Sequence, residues 1–138
     1  MATKINFNGE IHDQLSISVL DHGFLFGDSV YEVVCTFNNQ PCFLDKHLDR
    51  LFASAKAISL NIPHDNEWFL EQLKVTLGAA DNDESYIRII VTRGVGEINI
   101  DPSTCHSPNI IIIVMDIKEY PEPCYEKGIH VALVSIKR

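Results

Sequence analysis

The chain has 138 residues, 46% of them apolar and 22% charged, and a formal charge of -8. That length holds one domain with a real core rather than two, and the balance is globular, neither disordered nor fibrous. The acidic residues are scattered and no basic patch is interleaved with aromatics, so no nucleic-acid partner is expected.

From the N-terminus, MATKINFNGE has no apolar signal core, and the longest apolar run, Ile110 to Met115, is too short to span a bilayer. A soluble, cytoplasmic chain with no membrane partner is expected. TKINFNGEIHD alternates around Asn8-Gly9, the dipeptide most favoured in a two-residue hairpin turn. VYEVVCTFNNQPCFLD repeats the device across Asn38-Asn39-Gln40. Leu48, Leu51, Phe52, Ala55 and Ile58 then form one apolar stripe at helical spacing, with Asp45 as the expected N-cap and Pro63 as the stop. A second helix is predicted from about Asp65, burying Phe69, Leu73, Thr76, Leu77 and Ala80. Three strands should follow, SYIRIIVTRG, NIIIIVMDI and IHVALVSI, the first two joined by the loop VGEINIDPSTCHSPN. The Ile110 to Met115 run is apolar on both faces, as a central strand covered on each side requires. Strands, two helices, then strands point to an α+β fold with a mixed or antiparallel sheet. The β-rich ending VALVSIKR reads as a chain cut at a domain boundary.

Four cysteines, Cys35, Cys42, Cys105 and Cys124, lie far apart with no C-x-x-C pair, and read as free thiols. Six histidines show no metal-ligand spacing, so no metal is expected. Hydrolase, P-loop and dinucleotide-binding motifs are absent from the letters. What remains is arginine chemistry. Arg50 lies off the apolar stripe beside His47, Ser54 and Ala57; it is either a solvated residue paired with Asp45 or Asp49, or a fork for phosphate oxygens. Phe26-Gly27-Asp28 marks a turn before a strand. In that strand Tyr31, Val33 and Cys35 share one face, and Glu32, Val34 and Thr36 the other. Tyr86 and Arg88 share a strand face with Ile90, where an arginine wants a carboxylate from a structural partner or a ligand.

DHGFLFGDSVYEVV, then FLDKHLDRLFASAKAI, then YIRIIVTRGVG resemble the fold-type-IV (class IV) pyridoxal-phosphate enzymes: branched-chain and D-amino-acid aminotransferases and aminodeoxychorismate lyases. The resemblance runs over essentially the whole chain. It implies that residues 1–126 are the small N-terminal domain of a two-domain, homodimeric enzyme, with 127–138 beginning the interdomain linker or a truncated C-terminal domain. By position, Arg50 resembles the arginine that grips the cofactor phosphate. Phe26 and Tyr31 resemble substrate-pocket positions, and Tyr86 and Arg88 the pair that holds the distal carboxylate of glutamate. TRGVGEINIDP is closer to branched-chain members than to D-amino-acid enzymes, whose loop carries an arginine and a histidine for the substrate carboxylate. The implied reaction moves an amino group between a branched-chain L-amino acid and 2-oxoglutarate; the lyase, the D-amino-acid enzyme and a non-catalytic module are the rivals. The lysine that anchors pyridoxal phosphate belongs beyond this chain, and Lys137 is rejected as a substitute because it stands too early.

Overall fold

Asn8 and Gly9, both at positive φ (52° and 98°), turn strand β1 (Lys4–Phe7) back into β2 (Glu10–His12). A turn with two positive-φ residues matches the twist of its flanking strands, which is why Asn-Gly signalled it. Asn38 and Asn39, at 50° and 59°, do the same between β3 (Ser29–Phe37) and β4 (Gln40–Pro41). A computed structural model describes residues 3–118 and 120–135. Within it, β5 (Ser85–Thr92) and β6 (Asn109–Asp116) complete a six-stranded sheet of order β2-β1-β6-β5-β3-β4 with every neighbour antiparallel.

Helices α2 (Leu44–Ala57) and α3 (Asn66–Ala80) cover one face. Leu48, Leu51 and Ala55 from α2 and Phe69, Leu73 and Ala80 from α3 meet Val30 and Val34, Ile87, Ile89 and Val91, and Ile110, Ile112 and Val114. These strand positions alternate, so the other set of side chains faces away from the helices. Ile111 on that second face is buried, while Ile113 and Met115 are half-buried; the central β6 is therefore covered fully on one side only. Asn6 is a polar member of the helix-side face, and its amide donates to Gln72 and Thr76 of α3. This is the expected α+β domain with an antiparallel sheet and two long helices.

The ends of elements differ from the expectation. Phe43 at φ 51°, not Asp45, precedes α2, with no side-chain cap; Asp45 lies in the first turn, where a negative charge complements the helix dipole. The same helix ends at Ala57, well ahead of Pro63, because Ser59 turns left-handed at φ 53°. That drops Ile58 off the stripe, 39% exposed. The second helix starts where expected, at Asn66, and Asp65 caps it, its carboxylate accepting from Trp68 N. Two short helices went unforeseen: α1 (His22–Phe26), capped by Asp21 and closed by Gly27 at φ 67°, and α4 (Glu122–Lys127). IHVALVSI forms no strand over residues 129–135, where Leu133 is 99% exposed. A β-rich segment becomes a strand only where it pairs with another, and no strand of the sheet pairs with residues 129–135.

Leu51 is fully buried, so Leu51→Ala should lower unfolding free energy by about 2–5 kcal/mol, whereas Ile58→Ala should change it by less than about 0.5 kcal/mol. Urea melts of both variants check this. A second expectation concerns Glu84, whose carboxylate accepts from the Thr36 hydroxyl and from Asn39 N beside the β3–β4 turn. The Thr36 bond first, then the backbone N–H groups of Asn39 and Asn38, hold its carboxyl below the ordinary 4.5 against the effect of burial. A depressed folded pKa contributes stability that is complete above the unfolded value and is lost as pH falls through the folded one. The melting-temperature gap between wild type and Glu84→Gln should therefore be open at neutral pH and close as pH drops below 4.5.

Candidate active site

The sheet face turned away from the helices carries Tyr31, Val33 and Cys35 from β3, Tyr86, Arg88 and Ile90 from β5, and Ile111, Ile113 and Met115 from β6. Register fixes the neighbours: Val33 opposes Arg88, Arg88 opposes Ile113, and Cys35 opposes Tyr86. Tyr31 is diagonal to Arg88, within reach across an antiparallel pair. The guanidinium carbon of Arg88 sits 4.4 Å from the Tyr31 ring centroid, a cation–π contact. Arg88 Nε is buried without a hydrogen-bond partner, and no carboxylate pairs with this arginine among the described residues. An acid buried against Arg88, the structural explanation of that residue, is not what the fold provides. Tyr86 also lines a largely apolar cleft of about 490 Å³ with Cys35, Met115, Ile117, Tyr120 and Tyr125.

Arg50 stands on the other side of the sheet. Glu32, one residue after Tyr31, points to the helix side and is only 4% exposed. Its carboxylate accepts from Arg50 Nε at 2.6 Å and Nη2 at 2.5 Å, and bonds His47 Nδ1 at 2.8 Å. The Arg50 side chain is nonetheless 67% exposed. Arg50 first, then His47, draws the Glu32 carboxyl below its usual range against the opposing effect of burial, while Glu32 raises the Arg50 guanidinium. Arg50 is thus neither a loose solvated residue nor paired with Asp45 or Asp49. Because β4 pairs only with Thr36 and Phe37, the Glu32 stretch of β3 has no strand beyond it among the described residues. Arg50 and Arg88 belong to opposite faces that meet at this free edge.

Phe26 ends α1 just ahead of β3; it is 43% exposed, and its ring packs edge-on against His22 at 4.9 Å. The structure brings Tyr31, Tyr86 and Arg88 onto one face but gives Phe26 no recorded ring contact with them. Behind Phe26 lies a polar scaffold that the letters did not reveal. Asp21, fully buried, accepts from Gly23 N, Thr92 Oγ1 and Asn109 Nδ2. Arg93 clasps Asp28 through Nε and Nη2 and donates to the carbonyls of Ser59 and Ile58. Gly94 follows at φ 94°, and a Cβ there would lie 1.8 Å from the Ser107 carbonyl, so only glycine fits where the loop doubles back. Glu32 and His47 are the site residues that sequence reasoning missed. A signal existed: alternation placed a carboxylate on a strand face shared with Val30, Val34 and Thr36, and a buried carboxylate needs a cation. Lys137 lies outside the described residues. Among the described residues no three His, Cys, Asp or Glu side chains gather to hold a metal ion, and no helix is long and apolar enough to cross a membrane.

Comparison with known proteins converges. A Methanocaldococcus jannaschii protein provisionally named a branched-chain-amino-acid aminotransferase is 36% identical over 98% of this chain and 46% of its own length. A D-alanine aminotransferase of Listeria monocytogenes is 36% identical over 69% of this chain and 33% of its own. Among solved structures, the Escherichia coli branched-chain amino acid aminotransferase superposes with a TM-score of 0.81 at 22% identity, covering 90% of this chain and 43% of that one. The 4-amino-4-deoxychorismate lyase of Pseudomonas aeruginosa does so with a TM-score of 0.70 at 26% identity, covering 91% and 44%. The chain thus spans less than half the length of these four proteins. The sequence profile of the family described as amino-transferase class IV matches residues 29–138, and the chain belongs to that family.

Proposed function

We propose that the chain is the N-terminal part of a pyridoxal-phosphate-dependent aminotransferase that moves an amino group between branched-chain L-amino acids and 2-oxoglutarate. The observation that carries this reading is Arg88: a guanidinium on an otherwise apolar sheet face, stacked on Tyr31, with a buried Nε unmatched. A pocket that serves both leucine and glutamate needs such a surface, apolar for one side chain and able to meet the distal carboxylate of the other. Tyr31, Ile90 and Tyr86 supply the apolar part, and Arg88 the counter-charge. Phe26 closes the pocket from α1 on this reading.

The cofactor's phosphate end suits Arg50. Glu32 takes the Nε–Nη2 edge of the guanidinium, and Nη1 has no partner among the described residues, so a fork remains for phosphate oxygens. When bound, pyridoxal phosphate supplies the electron sink that makes the substrate's α-proton labile. This chain's own part is to hold the phosphate at Arg50 and to orient the substrate over Tyr31 and Arg88. The covalent anchor and the rest of the pocket belong to a second domain. Exposed Val19, Phe24, Ile98 and Ile100, spread over the loop before α1, α1 itself and the loop after β5, are apolar surface that a second domain or a homodimer partner would cover. On this reading the assembled enzyme works in the cytoplasm.

The D-amino-acid reading draws on the Listeria relative, but the loop after β5 carries no arginine beyond Arg93 at the strand's end, and Arg93 is committed to Asp28 and two carbonyls. The lyase shares the fold, and the Arg88 experiment separates the two.

In the full-length enzyme, Arg88→Ala should damage the glutamate half-reaction selectively. A charge-assisted bond contributes about 1.5–3 kcal/mol, so the ratio of glutamate to leucine efficiencies should fall roughly tenfold or more. Single-turnover rates with both substrates, beside a melting curve, measure it; equal losses with a lowered melting point would return Arg88 to a structural role. For Arg50 the informative change is to lysine, because alanine would leave the buried Glu32 carboxylate without its cation. Arg50→Lys keeps the charge and loses the fork, and should weaken cofactor affinity by roughly tenfold. An unchanged dissociation constant, read by absorbance titration, would remove Arg50 from the cofactor site.

A further inference from the structure

We infer that Glu32 and His47 are positioning residues: together they orient the Arg50 guanidinium so that its remaining edge meets a phosphate monoester. The inference rests on the reading of Arg50 given above.

A guanidinium has two edges able to take an oxygen pair. The Nε–Nη2 edge is occupied by Glu32, one oxygen on each nitrogen, at 2.6 and 2.5 Å. That leaves the Nη1–Nη2 edge, and two bonds in the plane fix where it faces. An arginine whose side chain is 67% exposed would otherwise spread over many rotamers, a freedom that ligand binding would have to remove. The carboxylate is itself immobilised. Glu32 is 4% exposed on the strand between Val30 and Val34, both buried. Its Oε2 is shared between Arg50 Nη2 and His47 Nδ1, the latter at 2.8 Å. An ionised carboxylate only accepts, so His47 presents Nδ1–H to it. His47 and Arg50 are three residues apart on α2, hence one above the other on the same face, and both reach the one strand residue. The arrangement is directional at every contact.

A purely electrostatic role and a positioning role have opposite signs here. Glu32 cancels the charge that attracts phosphate, so if charge alone mattered, removing it would tighten phosphate binding. If Glu32 sets the geometry, removing its charge weakens binding despite the more positive site.

The test uses the full-length enzyme stripped of its cofactor, with pyridoxine 5′-phosphate, which carries the phosphate without an aldehyde. Titrations are followed at the Arg50 Nε–H resonance by NMR, with circular dichroism as the check on folding. Wild type should bind saturably, with an Nε–H that exchanges slowly because Glu32 holds it. Glu32→Gln should bind about tenfold more weakly. His47→Ala should lose about threefold, and His47→Asn, whose amide places an N–H where Nδ1–H was, should recover most of that loss. Binding by Glu32→Gln as tight as wild type or tighter would overturn the inference. So would His47→Asn behaving like His47→Ala. If Glu32→Gln does not fold, the histidine pair decides. A wild-type Nε–H that is protected yet unmoved by the phosphate would instead overturn the reading of Arg50 itself, a result distinguishable from the other two.

Discussion

A carboxylate buried on the core side of a strand is the constraint around which this molecule is arranged. Glu32 shares its face of β3 with Val30 and Val34, where an unpaired negative charge would be untenable. The fold answers with α2, whose His47 and Arg50 both reach the same carboxylate. The pairing is lopsided: the acid is buried and the arginine largely exposed. Such a pair adds little by simple attraction, since the guanidinium is screened by water. What it does is hold an exposed, charged fork in one place, and the strand's alternation then places Tyr31 on the opposite face.

The two arginines differ in a telling way. Arg93 shows what a structural arginine looks like in this chain: two bonds to Asp28 and two to backbone carbonyls. Arg88 has a ring beneath it and a buried Nε with no acceptor. Stacking offsets part of the cost of placing a cation among Val33, Ile90 and Ile113, but an unmet buried donor remains unfavourable by about 1–3 kcal/mol. Local rules are broken where function requires it. An acceptor arriving with a ligand would satisfy the group that the fold leaves unsatisfied, and this is why the open face, rather than a helix-side groove, supports the substrate reading.

How far the sequence alone carried can be argued from particular residues. Both hairpins were legible because Asn8-Gly9 and Asn38-Asn39 are local signals, read within four residues. The buried stripes of α2 and α3 were legible for the same reason: periodicity is short-range. The sharing of one face by Tyr86 and Arg88 followed from strand alternation, and their junction with Tyr31 needed only the register. What escaped depends on distance along the chain. Glu32 and Arg50 are 18 residues apart, and Asp21 meets Asn109 across 88. Nothing in the spacing of letters joins such pairs. The segment at 129–135 has the composition of a strand, but composition does not say whether the folded sheet will pair with it. The extra helix α1 is five residues long, too short to show a period, and only its Asp21 cap and Gly27 exit betray it.

One backbone feature makes the two faces converge. Were β4 to run on past Pro41, its residues would pair along β3 and cover the edge beside Glu32. It stops instead at two residues, and Phe43, held at φ 51° and exposed, swings the chain out of the sheet and into α2. An aromatic residue in the left-handed region is unfavourable by about 1–3 kcal/mol, so the surrounding structure must impose it. The result is a strand whose middle has a core on one side, an open face on the other and no strand beyond it among the described residues. In a continuous sheet, residues 31 and 32 would be separated by the sheet itself, with their side chains serving different surfaces. At a free edge, a ligand lying against that edge can reach both. The phosphate grip proposed for Arg50 and the carboxylate grip proposed for Arg88 can therefore serve one site, because the strand that separates them is where the sheet ends.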